Sequence, residues 1–126
     1  MGAFDRDKQA GLRADLALGE GKPFVLWAVE DDGEVIETRI GDAPVIHFAA
    51  SPLSNTNRPG RPIWVNTVAS AIVEKLGKVE DGELPAVCML SRVDVTREED
   101  GRTVRALVLQ YVEDWTGPVV PVDARK

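Results

Sequence analysis

"IWVNTVASAIVEKLGK", Ile63 to Lys78, passes from a short β-type run into the clearest helical pattern in the chain. Val65, Val68, Ala69, Ile72, Val73 and Leu76 recur at helical spacing, which sets the large apolar groups on one stripe. Either Asn66 or Thr67 supplies an N-cap, Gly77 a stop, and Lys75 and Lys78 sit where the helix dipole favours cations. The spacing therefore predicts a short strand, Ile63-Trp64-Val65, followed at once by a helix.

Working upstream, Pro52 to Pro62 is a Pro- and Asn-rich loop carrying Arg58 and Arg61. Before it, Glu34 to Ile40 alternates and resumes as Val45 to Ala49, which predicts one long strand bent at Gly41. Phe24 to Val29 is a continuous apolar, β-rich run ended by Asp31-Asp32-Gly33. Residues 1–22 form an N-terminal arm whose pattern fits either a short helix over Lys8–Ala14 or a strand through Leu12, Ala14, Leu16 and Leu18. Downstream, Leu84 to Val95 and Val104 to Val112 are two long β segments joined by the turn-rich Arg97–Arg102. Residues 23–115 thus make the domain, and 116–126 an apolar, Pro-punctuated strap that docks on a neighbour or on its own domain.

The order strand, strand, strand, helix, strand, strand resembles the OB-fold, a small five-stranded Greek-key barrel with one helix between strands three and four. The resemblance spans Phe24 to Asp114 and rests on topology and spacing. An SH3-like barrel and an α+β sheet under one helix remain alternatives. The compact single domain with an acidic start and no processing signal is also similar to bacteriophage proteins.

At 126 residues and 44% apolar content the chain supports one packed core. A formal charge of −6 argues against coating duplex DNA or an anionic membrane by bulk charge. The charge is uneven: residues 1–37 hold 4 basic and 9 acidic groups, 38–79 hold 5 and 2, and 80–126 hold 6 and 10. Cys88 is the one cysteine, set in the apolar run Ala86 to Leu90, and reads as a small core hydrophobe in a reducing interior. No apolar stretch reaches the roughly 18 residues of a membrane span, so a cytoplasmic setting is expected, either a host cytoplasm or a virion for a viral protein.

Enzyme chemistry finds little support. His47 is the single histidine, lies mid-strand and reads as a structural residue bonded to a neighbour. No Walker loop, GxGxxG, HExxH, CxxC or GxSxG occurs, and the acidic turns at 30–34, 80–83 and 98–101 do not match a calcium loop. No cofactor and no metal are expected. Single-stranded nucleic acid is held by cationic grooves with aromatic stacking faces, and the basic middle third offers Arg39, Arg58, Arg61 and Trp64 for that role. The resemblance implies the same, since strands two and three form the usual OB binding face. The remaining hairpin arginines, Arg92, Arg97, Arg102 and Arg105, read as cross-strand ion pairs. Two non-enzymatic functions follow: a single-stranded nucleic-acid module in phage DNA metabolism, or a structural domain for self-association or protein partners, such as a virion component. Neither involves a membrane.

Overall fold

The computed structural model describes residues 12–31, 33–38, 41–54 and 57–122. Its strands are β1 (Leu12–Arg13), β2 (Phe24–Glu30), β3 (Val35–Thr38), β4 (Gly41–Pro44), β5 (Ile46–Pro52), β6 (Ile63–Thr67), β7 (Ala86–Thr96) and β8 (Thr103–Asp114). Two helices accompany them, α1 (Ala14–Leu18) and α2 (Ser70–Gly77). The chain is mainly β, with a six-stranded sheet in the order β1-β6-β5-β2-β7-β8 and a separate β3–β4 hairpin.

The element order meander, helix, hairpin agrees with the sequence reading, but the sheet stays open. Among the described residues no ladder joins β6 to β8. The outer edge of β6 is taken instead by β1, in parallel register Leu12↔Val65 and Arg13↔Asn66. The arm expected to lie outside the domain therefore contributes an edge strand and a second helix. The predicted bent second strand is also corrected. It divides into β3, β4 and β5, because β3 and β4 pair with each other from Val35↔Pro44 to Thr38↔Gly41. Gly41 adopts φ 116°, a conformation closed to most side chains, and its backbone belongs to a hairpin where a bend within one strand was expected.

The helix begins later than its apolar stripe. Asn66 and Thr67 remain in β6, opposite His47 and Ile46, and ladder pairing keeps both extended. Thr67 Oγ1 accepts the Ala69 N–H at 3.1 Å, so the expected cap residue closes a turn before the helix. Extended Ala69 is the actual N-cap and offers no side-chain acceptor. Ile72 and Leu76 are fully buried, a contribution of about 1.5–3 kcal/mol each. Val68, assigned to the same stripe by spacing, is 38% exposed.

Period-two alternation splits the sheet into two apolar layers. On one face Phe24, Leu26, Phe48, Val65, Cys88 and Leu90 pack with Ala14 and Leu18 of α1 and Ile72 and Leu76 of α2. On the other, Val25, Trp27 and Ala49 gather Trp64, Trp115, Val120 and Val122. The C-terminal strap thus docks on its own sheet. Trp27 is an extra residue in β2: the register runs Leu26↔Ala50 and then Ala28↔Ala49. This bulge gives Trp27 and Ala28 to the strap side and returns Val29 to the helix side.

Candidate interaction surface

The loop before β6 is ordered by its own polar groups. Ser54 N–H donates to the Arg58 carbonyl at 3.1 Å, Asn57 N–H to the Ser54 carbonyl at 3.0 Å, and Gly60 N–H to the Pro52 carbonyl at 3.2 Å. Arg58 and Arg61 are exposed on it. Trp64 is half-buried against the layer of Val25, Trp27 and Ala49, so packing takes up part of its indole while Arg58 and Arg61 reach solvent. Arg39, the fourth residue assigned to this surface, lies outside the described residues.

His47 is buried, and its Nε2 lies 2.9 Å from Glu34 Oε2 at the foot of the β3–β4 hairpin. This partnership is the structural role expected for it. Cys88 packs in the core, where burial pushes its thiol up to about 11 and the nearby Lys75 ammonium offsets only part of the effect. A protonated thiol is a poor nucleophile at neutral pH. It lines a cleft of about 350 Å³ with Leu26, Ala86, Leu109 and Tyr111, at whose mouth Lys75 Nζ donates to the Leu109 carbonyl at 2.8 Å. Tyr111 OH donates to Asp114 Oδ1 at 2.7 Å, and this bond leads the causes that raise its pKa.

Among the described residues the hairpin arginines make no cross-strand ion pair. Arg92 reaches back to Asp15 and Glu20 of the N-terminal segment, and Arg97 meets Glu99 within the tip. What stands out on this hairpin is its length relative to its support. β7 pairs with β8 over its whole span, Ala86↔Asp114 to Thr96↔Thr103, whereas β2 covers only Ala86 to Cys88. Among the described residues β7 gains one further partner beyond Cys88, the bridge Glu20↔Leu90, so the distal β7–β8 ladder forms an arm paired mainly with itself. One side of the arm carries Val93, Val95 and Val104, exposed by 36%, 41% and 38%.

β8 ends the sheet order, so its outer backbone groups face no strand among the described residues. Native edges are usually blunted by lysine, proline or a short strand. Here the run Ala106 to Val112 has no proline and no charge, and the strand is 12 residues long. The sequence carried part of this signal, since residues 92–96 alternate polar with apolar. It could not reveal that β2 covers only the first three residues of β7, or that β8 ends the sheet order.

Comparison with family models, with curated proteins and with solved structures finds no match for this chain.

Proposed function

We propose that this chain is a non-enzymatic interaction module, a structural component that assembles with a second copy of itself by antiparallel pairing along β8. The observation that carries this reading is the β8 edge from Ala106 to Val112, which has no proline or charge of its own, although Lys75 Nζ takes the Leu109 carbonyl within it. A second copy presents the same edge, and a two-fold axis lets each satisfy the other's backbone groups. The pairing also lengthens the valine side of the arm into a shared apolar strip. The architecture beneath it is read as OB-like and opened, a reading supported by the meander, helix and hairpin order and by the place of β7 beside β2.

Light scattering after size exclusion tests the assembly. The wild type is expected to elute as a dimer, and Gln110→Lys with Val112→Lys, both exposed positions, as a monomer of unchanged far-ultraviolet circular dichroism. A monomeric wild type at the highest soluble concentration overturns the proposal.

A second reading, binding of single-stranded nucleic acid, is favoured by exposed Arg58 and Arg61 on a self-bonded loop. It predicts salt-sensitive anisotropy with oligo-dT that Arg58→Ala plus Arg61→Ala weakens. Absence of binding at low salt removes it.

A further inference from the structure

Arg13 at the end of β1, Arg92 in β7 and Arg105 in β8 line a single cleft of about 420 Å³, with Asp15, Asn66 and Thr67 between them. We propose that this cleft is a binding site for the phosphate group of a small phosphorylated molecule.

Three guanidinium groups meet one carboxylate in the lining. Asp15, largely buried, takes hydrogen bonds at one oxygen, Oδ2, from Arg13 Nη2 at 2.9 Å and Arg92 Nη2 at 3.3 Å. Arg92 Nε also donates to Glu20 Oε2 at 3.2 Å, outside the lining. These bonds fix the orientation of two guanidinium groups without neutralising the three. Arg105 has no ion pair or side-chain hydrogen bond among the described residues, although Asp94 stands opposite it in the ladder. Its fork of five N–H donors is therefore available, and that fork matches an oxyanion bidentately.

The class of anion follows from number and shape. A carboxylate has two oxygens to offer, whereas a phosphate monoester has three free oxygens and more charge for three arginines. The start of α2 adds the same sign, since Ser70 and Ala71 lie in the lining and no acidic residue occupies the first turn. Pockets for small ligands run from about 300 Å³ upward, so this cleft has room beyond the phosphate. Ile36, Val68 and Leu107 line it and suit the organic part of such a ligand. Arg92 and Arg105 project to the helix side of the arm, away from Val93 and Val95, so occupancy of the cleft and pairing along the β8 edge are read independently.

The test titrates the full chain with inorganic phosphate and, separately, with adenosine 5′-monophosphate, against sodium chloride at matched ionic strength. Melting temperature and backbone amide shifts are the readouts. Both probes are expected to raise the melting temperature saturably and to shift the amides of Ser70 and Ala71. Arg105→Gln is expected to weaken each by at least about tenfold, as befits loss of charged hydrogen bonds, with the unliganded melting temperature unchanged. Tighter binding of the monophosphate assigns a phosphorylated molecule, and any saturable response to phosphate alone still supports the anion site. No response beyond that of chloride, or a response that Arg105→Gln and Arg13→Gln leave intact, overturns it.

Discussion

Trp27 donates its indole N–H to Ser51 Oγ at 2.7 Å, a buried bond on the strap side of the sheet. Ser51 is fully buried, so no water stands ready to replace it. Ser51→Ala leaves the indole nitrogen without an acceptor and is expected to cost about 1–3 kcal/mol in urea unfolding. A loss below a few tenths of a kcal/mol would show that the indole finds another acceptor.

Trp115 meets Trp27 edge-on, with ring centroids 6.3 Å apart, and its Nε1–H donates to the Pro118 carbonyl at 2.9 Å. Trp115→Ala removes both contacts. It is expected to lower stability by about 1–3 kcal/mol, red-shift the emission of Trp27 and Trp64, and speed proteolysis between residues 116 and 122. Unchanged emission would mean that the rest of the strap holds without its anchor.

Leu76 and Val68 share one stripe by spacing but not in three dimensions, because Leu76 is 1% and Val68 38% exposed. Leu76→Ala is expected to cost about 2–5 kcal/mol and Val68→Ala no more than about 0.5 kcal/mol by thermal or chemical unfolding. Equal costs would favour the longer helix drawn from spacing alone.

That pair also shows how far the amino-acid pattern reaches. The apolar runs of β2, β7 and β8 and the stripe of α2 were legible, since each buries residues at its own period. The start of α2 was not, because Asn66 and Thr67 obey their ladder partners His47 and Ile46 rather than their capping preference. Closure was not legible either: nothing near Leu12 reveals a parallel pairing with Val65, a contact across more than fifty residues. Of the surface assigned to nucleic acid, Arg58 and Arg61 were recognisable as exposed loop cations. Trp64 was ambiguous, because its partial burial depends on packing against Val25, Trp27 and Ala49 of distant strands.

The Cys88 thiol carries its raised pKa into stability. An unfolded cysteine ionises near 9.0 and the folded one near 11, so the folded state holds the proton longer. Stability contributed by that proton is complete below pH 9.0 and is lost as pH rises toward about 11. Wild type is expected to lose about 1–2 kcal/mol more than Cys88→Ala across that window. Parallel curves for the two proteins would refute the assignment, and rapid labelling of native Cys88 by a thiol reagent at neutral pH would do the same.

The bulge at Trp27 makes β2 a parity switch. One residue inserted between Leu26 and Ala28 lets a single strand send Val25, Trp27 and Ala28 to the strap and Leu26 and Val29 to the helices. Deleting Ala28 would remove the bulge and leave Val29 opposite Phe48 and Glu30 opposite His47, whereas one residue added after Ala28 would drive Val29 and Glu30 to the opposite layers and turn a carboxylate toward the helix side. The two halves of the domain are thus held in phase by one residue's worth of backbone, and a single-residue insertion after Ala28 is expected to be far more damaging than deletion or substitution of Ala28.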